Sequence, residues 1–294
     1  RYLYVQPKNK IDVLFLGSSH VHCNVNTQLL WDEYGMAAYL MTGAEQPLWN
    51  SYYNLKEALK TQKPKLVVLD MFCPSRFYDD FQPGWADENL DGMRISLNKL
   101  EAVYTSVQEE QSHFFLGFTE YHSRYDQLTA EDFQNFVWNR KTQERWKGYT
   151  PLNRHAELTE PDMSHVTTSQ EMTEKSKEYF EKIVELTKKE GIALALISGP
   201  YLLEERDQEV YNSIGQLAEK DGLLFWNTNT PAHYREMGLD FSTDYADHAH
   251  LNEAGGAKYT AYLGKWLSQN YSFPDRRGQK GYESWENQLM KSGE

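Results

Sequence analysis

Residues 11–20 read Ile-Asp-Val-Leu-Phe-Leu-Gly-Ser-Ser-His, a nearly continuous apolar run that ends on a glycine and two serines. Uninterrupted apolar runs of this length are typical of parallel strands, because helices cover both faces of a parallel sheet. The Gly17-Ser18-Ser19 that follows predicts a sharp turn from the strand into a helix. The stretch therefore indicates an α/β protein that presents polar side chains at one edge of its sheet.

The rest of the chain repeats this alternation. Apolar runs of strand length occur at 37–41, 66–70, 192–197 and 223–226. Amphipathic segments predict helices at 51–61, 171–190, 208–220 and 253–269. Together they predict a doubly wound, flavodoxin-like α/β fold with a mostly parallel sheet of about five strands. Ligands of such folds bind beyond the carboxyl ends of the strands, where Ser19 and Gly43 fall.

We predict a single domain over residues 1–294 with two additions to the alternating pattern. The first is a helical insertion after the third strand, at about 71–168, with helical patches at 95–107 and 130–140. The second is an extended polar arm at about 272–294. The aromatic residues of the insertion admit two interpretations, a local core or a cap that faces carbohydrate over the active edge; they are Tyr121, His122, Tyr125, Trp138, Trp146 and Tyr149.

Composition excludes several classes of protein. The 294 residues include 30 Lys and Arg against 43 Asp and Glu, a net charge of −13, whereas nucleic-acid binders present basic surface to phosphate. No apolar run approaches the roughly 18–20 residues of a membrane span. The sequence begins with Arg1 and not with Met, so we expect an upstream N-terminal signal or anchor. Cys23 and Cys73 lack metal-ligand spacing; a single disulfide is one reading, and two buried free thiols are favoured.

Two motifs carry chemistry. A serine on a strand-to-helix turn, here Ser18 or Ser19, is exposed to ligand and close to helix N–H groups, although many such serines are only helix caps. Asp247 and His250 stand three residues apart before the last predicted helix, so the carboxylate can orient the imidazole as a general base. A metal site built from Asp244, Asp247, His248 and His250 with His20 and His22 is disfavoured, because the spacing matches no zinc motif. We predict no metal and no cofactor.

Gly17-Ser18-Ser19 together with Asp247-x-x-His250 resembles the SGNH (GDSL-type) hydrolase superfamily. The resemblance covers about 11–70 and 190–268. It implies a catalytic triad of Ser19, His250 and Asp247, with the backbone N–H groups of Ser19 and Gly43 binding the oxyanion. The family's third block departs here, because Leu69-Asp70-Met71-Phe72 contains no Asn to donate to the oxyanion. Substitute donors that we consider are His20, Gln46 and Ser75, and the loss predicts slow hydrolysis that favours transfer to a sugar.

The Gly-Ser-Ser-His start, the Gly43-x-x-Gln46-Pro47 segment and the aromatic insertion resemble a narrower set of bacterial cell-surface proteins. These work beside membrane-bound O-acyltransferases, which deliver the acyl donor, and O-acetylate extracellular polysaccharide. The resemblance implies an O-acetyltransferase or carbohydrate acetylesterase on the extracellular face of the membrane, held there by an N-terminal anchor. His20, Gln46 and Trp49 are candidate substrate-binding residues, with Trp49 either a sugar platform or a core residue. The alternative function is a non-catalytic glycan-binding or scaffold protein.

Overall fold

The computed structural model describes residues 2–77, 80–81, 83–109, 111–115 and 146–286. The predicted helix at 130–140 lies outside these ranges, as do Tyr121, His122, Tyr125 and Trp138.

A sheet of five parallel strands forms the centre of the molecule, in the order β2-β1-β3-β4-β5. The strands are β1 Val13–Gly17, β2 Ala38–Thr42, β3 Leu66–Asp70, β4 Ala193–Ser198 and β5 Leu224–Asn227. The α-helices among the described residues are α1 Ser19–His22, α2 Thr27–Tyr34, α3 Leu48–Ala58, α4 Phe72–Arg76, α5 Ala86–Leu90, α6 Leu97–Ser106, α7 Glu174–Glu190, α8 Glu205–Asp221, α9 Pro231–Met237, α10 Glu253–Asn270 and α11 Glu283–Glu286. The predicted doubly wound, flavodoxin-like fold is confirmed.

The central strands β1 and β3 are buried on both faces, as the apolar runs predicted. In β1, Leu14 and Leu16 belong to one core and Val13 and Phe15 to the other, because successive side chains of a strand point to opposite faces. All four are fully buried, which stabilises the fold by about 1.5–3 kcal/mol for each large side chain. This burial fixes the register of β1 and therefore the position of the turn that leaves it.

Strand order determines where a ligand site forms. Because β1 lies between β2 and β3, the connections that leave β1 and β3 run to opposite sides of the sheet. A crevice opens at such a switch point beyond the carboxyl ends of the strands. Residues 17–20, 43–46 and 70–72 all lie at the carboxyl ends of strands or directly after them, at this edge.

The described part of the 71–168 region is helical or irregular. It contains α4, α5 and α6, and its backbone pairing with the rest of the chain includes one isolated bridge, Ala156 to Tyr245. Tyr149 is fully buried and Trp146 is half-buried against the same core, so for these two residues the local-core interpretation holds. The Lys147 carbonyl accepts a hydrogen bond from Leu40 N–H at 2.8 Å, which covers the edge strand β2.

The structure differs from the predicted extended C-terminal arm, because residues 272–286 pack back onto the domain. Arg276 forms two hydrogen bonds with the Asp12 carboxylate, at 2.7 and 2.9 Å. Trp285 is 0% exposed, donates from Nε1 to the Ala38 carbonyl at 3.0 Å and packs beneath the Lys147 ammonium. A few aromatic and ionic anchors therefore hold a segment whose overall composition is polar.

Two further sequence expectations concern cysteines and membranes. Cys23 and Cys73 are both buried and free, in agreement with the favoured interpretation. Within the described ranges, none of the helices combines the length and apolarity needed to cross a bilayer.

Candidate active site

The turn after β1 separates the roles of its two serines. Gly17 has a φ of +152°, and a Cβ there would lie 2.5 Å from the Cβ of Asp70, so only glycine fits this close approach. Ser18 is the N-cap of α1: its Oγ accepts from His20 N–H at 3.2 Å and donates to Asp70 Oδ2 at 3.3 Å. Ser18 is thus a buried structural residue. Ser19, the first residue of α1, is half-buried.

The loop before α10 fixes an aspartate and a histidine in one orientation. Asp247 Oδ1 accepts hydrogen bonds from Ala249 N–H at 2.9 Å, His250 N–H at 3.0 Å and the His250 ring nitrogen Nδ1 at 2.8 Å. A carboxylate on Nδ1 places the proton there and leaves Nε2 as an acceptor. Asn252 then caps α10 through a bond from Gly255 N–H, so the loop is anchored directly after the histidine.

The fold brings these two motifs together although they lie 231 residues apart in sequence. Ser19 Oγ is 2.9 Å from His250 Nε2, within hydrogen-bond distance. The structure therefore places Ser19, His250 and Asp247 in one continuous relay of side chains. A hydroxyl on an oriented imidazole that is itself held by a carboxylate is the arrangement that activates serine as a nucleophile.

The surroundings of the relay, chiefly burial, favour the neutral form of His250. Burial lowers the pKa of His250 below its ordinary value, and this outweighs the Asp247 carboxylate, which raises it. Burial raises the pKa of Asp247, but the Ala249 N–H bond and the nearby His250 and Arg154 together hold that pKa below its usual range. At neutral pH the imidazole is therefore unprotonated and the carboxylate ionised, the states that a general base and its partner require.

Arg154 is a site residue that sequence reasoning missed. Its guanidinium Nη2 lies 2.6 Å from Asp247 Oδ2, the carboxylate oxygen that does not contact His250. The side chain is 62% exposed, so the ion pair is screened by water. No motif surrounds Arg154 in the sequence, and only the three-dimensional course of the 146–173 segment brings it to the site.

The loop after β2 carries the predicted oxyanion glycine. Gly43 N–H points at the Gly17 carbonyl at 3.4 Å, a long bond that continues the ladder between β1 and β2. Its N–H therefore has a protein partner, and its role as an oxyanion donor stays a prediction. The N–H of Ser19 lies at the first position of α1, where a helix provides no carbonyl partner for it.

Helix α5 of the insertion fixes this loop. Glu88 Oε1 accepts from Ala44 N–H at 2.8 Å, and Asn89 Nδ2 donates to the Ala44 carbonyl at 2.9 Å. A Cβ at position 43 would lie 2.3 Å from Asn89 Oδ1, so an alanine there would displace the Asn89 side chain that holds the loop.

Two of the three proposed substitute donors are engaged inside the protein. Gln46 Nε2 donates to Ser51 Oγ at 3.0 Å, and Ser75 Oγ donates to the Phe72 carbonyl at 2.8 Å. These bonds hold α3 and α4, and the structure does not support Gln46 or Ser75 as oxyanion donors.

His20, the third of these residues, lies beneath the turn. It is buried, stacks on Phe72 at 4.6 Å between ring centroids and packs edge-on against Tyr201. Its Nδ1 is 3.5 Å from Asp70 Oδ1, and its Nε2 has no hydrogen-bond partner in the described part of the chain. Because its ring is enclosed by aromatic side chains, the structure does not support His20 as a substrate-binding residue.

Trp49 requires a correction as well. Its side chain is 1% exposed, and the Lys175 ammonium lies 4.2 Å from its ring centroid. A sugar cannot stack on a ring that has no accessible face, so Trp49 is a core residue of α3 and not a platform. Gln46 is buried too, but it borders a groove described below.

The acidic residues near His250 are accounted for by protein contacts. Asp244, one of the residues in the metal alternative, binds the Lys258 ammonium at 2.7 Å and accepts from Asp240 N–H at 2.7 Å. No three His, Cys, Asp or Glu side chains converge to hold a metal ion within the ranges that the structure describes.

Comparison with known proteins yields similarity in solved structures alone. No family model and no curated protein matches the sequence. A Bacteroides fragilis protein assigned as an acylhydrolase aligns at 12% identity and a TM-score of 0.45, covering 91% of this chain and 92% of that one. A catalytic mutant of Axe2, an acetylxylan esterase of Geobacillus stearothermophilus, aligns at 12% identity and a TM-score of 0.43, covering 91% of this chain and 98% of that one. At this level the likeness is one of overall shape, and the chemistry of the chain follows from its own site.

Proposed function

We propose that this chain is a serine-dependent acyl-ester enzyme that transfers an acyl group, most simply acetyl, to or from a carbohydrate hydroxyl. The observation that carries the proposal is the relay itself: Ser19 Oγ to His250 Nε2 at 2.9 Å and His250 Nδ1 to Asp247 Oδ1 at 2.8 Å. General-base activation of this kind is needed for a serine nucleophile and has no structural purpose in a half-exposed turn.

The mechanism follows from the atoms in place. Ser19 Oγ attacks the ester carbonyl while His250 Nε2 takes the hydroxyl proton, and Asp247 stabilises the resulting imidazolium. The tetrahedral intermediate collapses to an acyl-serine as His250 returns the proton to the departing alcohol. A second hydroxyl, from water or from a sugar, then attacks the acyl-serine with His250 again acting as base, and Ser19 is regenerated.

The substrate and the setting are further parts of the proposal. The resemblance of Gly17-Ser18-Ser19-His20 and Gly43-x-x-Gln46-Pro47 to cell-surface O-acetyltransferases supports an extracellular polysaccharide as acyl acceptor or ester. The same resemblance supports a membrane-bound O-acyltransferase as the source of the acyl group. It also supports location at the outer face of a bacterial membrane.

The first experiment compares release of p-nitrophenol from p-nitrophenyl acetate by the wild type and by Ser19→Ala. We expect a burst and steady turnover in the wild type and their loss in Ser19→Ala, with unchanged thermal unfolding because the hydroxyl is on the surface of the turn. Ser18→Ala is the matched control: it loses a helix cap worth about 1 kcal/mol of stability but keeps the nucleophile. Equal release by the wild type and Ser19→Ala would refute the proposal and leave the glycan-binding alternative.

A further inference from the structure

A groove of about 630 Å³ runs along the edge strand β2 on the side of the insertion. We call it the β2 groove. Residues of β2 form its floor, and its walls come from the N-terminal segment, α1, α3, the end of α5 and the 146–150 turn. Its size is that of an ordinary small-ligand site.

The β2 groove opens at the catalytic edge. His22, one turn after Ser19 on α1, lines it, and so does Thr42, the residue before Gly43. Burial chiefly lowers the pKa of His22, the positive charge of a protonated His250 acts in the same direction, and together they bring it to about 4. His22 is therefore close to His250. One end of the groove is therefore lined by residues that adjoin the Ser19 turn and Gly43 in the sequence.

The polar groups of the groove are uncharged. His22 is neutral at physiological pH, and its Nδ1 is 3.1 Å from Thr42 Oγ1. Its Nε2 has no partner within the described ranges and is left for a ligand. Asn54 and Gln46 lie in the same wall and bond to each other, Asn54 Nδ2 donating to Gln46 Oε1 at 2.8 Å. Tyr39, Leu3 and Met93 supply apolar surface beside them; an apolar face next to hydroxyl and imidazole partners suits a sugar ring.

Among the described residues that line the groove, the one acidic or basic side chain besides His22 is a glutamate. Glu88 lines the groove with one carboxylate oxygen bound to Ala44 N–H, and none of the described lining residues is Lys or Arg. A carboxylate or phosphate on the ligand would meet Glu88 with no Lys or Arg among the described lining residues to offset the repulsion. The groove wall therefore disfavours anionic ligands relative to neutral ones.

We propose that the β2 groove binds the sugar of the acylated glycan and admits neutral sugars while rejecting uronic acids. This inference rests on the proposed function and names the substrate class of that site. His22 Nε2 and Thr42 Oγ1 contact the sugar hydroxyls, and Glu88 excludes acidic rings.

Binding is tested with the Ser19→Ala protein, so that no turnover is needed. The probes are xylotetraose, cellotetraose and mannotetraose against tetragalacturonate, titrated by calorimetry at low ionic strength. We expect at least one neutral tetrasaccharide to bind about tenfold or more tightly than tetragalacturonate, the effect of one unfavourable charge contact. Glu88→Gln keeps an oxygen for Ala44 N–H. It should reduce severalfold the ratio of the affinity for the neutral tetrasaccharide to the affinity for tetragalacturonate. Asp87→Asn, which removes the neighbouring charge of α5 outside the groove, should leave the ratio unchanged.

The role of His22 is tested by a pair of variants. His22→Leu removes the ring nitrogens and should weaken binding of the neutral tetrasaccharide about tenfold, whereas His22→Gln restores a polar group near Nε2 and should recover most of it. If His22 had only a structural role, both variants would bind the neutral tetrasaccharide weakly. Tetragalacturonate binding as tightly as every neutral probe, or an equal response to Glu88→Gln and Asp87→Asn, would overturn the inference.

The two proposals fail in different ways. Turnover that depends on Ser19, with no neutral tetrasaccharide bound, would overturn the groove assignment and leave the acyl-serine mechanism intact. Neutral tetrasaccharides bound with the expected Glu88 and His22 dependence, but no turnover in the wild type, would support the groove and refute the enzyme.

Discussion

Replacing Asp247 with asparagine separates the electrostatic role of this residue from its structural one. Oδ1 of Asp247 accepts three hydrogen bonds, two from backbone N–H groups and one from His250 Nδ1, and an amide oxygen can accept the same three. The loop should therefore keep its conformation. What is lost is the negative charge that stabilises the imidazolium formed when Ser19 attacks. In serine enzymes such a loss lowers kcat roughly 10⁴-fold, or about 5.5 kcal/mol of transition-state stabilisation.

The contact of Asp247 Oδ2 with Arg154 determines how much Asp247→Asn lowers the unfolding free energy. With its oxygen on the loop, the introduced amide would turn its NH₂ group toward Arg154 Nη2, now 2.6 Å from Oδ2 of Asp247, so that two donors would face each other. Because Arg154 is 62% exposed, it can swing into water, and an exposed ion pair contributes only about 0–1 kcal/mol. We therefore expect a fall in the unfolding free energy of no more than about 1 kcal/mol.

The assay is kcat/KM for p-nitrophenyl acetate together with the thermal unfolding midpoint, for Asp247→Asn, Asp247→Ala and Arg154→Gln. Asp247→Ala should lose activity to a similar degree and more stability, since three N–H groups lose their acceptor. Arg154→Gln should cost less than about tenfold in rate, because an exposed ion pair acts weakly. Activity of Asp247→Asn within tenfold of the wild type would refute the triad. A loss in Arg154→Gln as large as in Asp247→Asn would show that the carboxylate acts mainly through the arginine.

Three other predictions follow from the same contacts. Because burial holds the pKa of His250 below 6.5, kcat/KM should rise with pH through a midpoint below 6.5 and then level off; a pH profile with a higher midpoint would contradict the burial argument. Gly43→Ala should abolish most activity, because its Cβ would lie 2.3 Å from Asn89 Oδ1, and kcat/KM should partly recover in Gly43→Ala/Asn89→Ala. Trp285→Ala should lower the unfolding free energy by about 3–5 kcal/mol in a denaturant titration, while Trp85→Ala, at an exposed position, should change it by no more than about 0.5 kcal/mol.

The sheet could be predicted because its signal is local. Five apolar runs correspond to five strands, with ends displaced by no more than two residues, since a strand ends where its hydrogen-bond partner ends and not where the apolar run does. Helices α2 and α9 were not predicted. Each spans about two turns, too few to establish a 3.6-residue period, and they are recognisable mainly by their caps, Asn26 and Thr230.

The residues of the candidate site could likewise be predicted only where a local sequence motif marks them. Ser19 and the pair Asp247 and His250 could be identified because each lies in a short motif whose geometry is fixed by neighbouring residues. Arg154 could not, because nothing local marks it. Trp49 looked like a candidate sugar contact because a sequence does not show which face of α3 packs against the sheet.

Asp70, the last residue of β3, bears on whether the acyl group goes to water or to sugar. Asp70 is buried and directs both oxygens under the turn, toward Ser18 Oγ, Phe72 N–H and His20 Nδ1. This position therefore holds the turn that carries Ser19 and supplies no oxyanion donor. A missing donor, worth about 2.7–4 kcal/mol, slows formation and breakdown of the acyl-serine alike, because both steps pass through the same tetrahedral oxyanion. It cannot by itself favour a sugar acceptor over water, as the sequence suggested. In the proposed enzyme that choice depends on which hydroxyl occupies the site when the acyl-serine is present, and so on occupancy of the β2 groove.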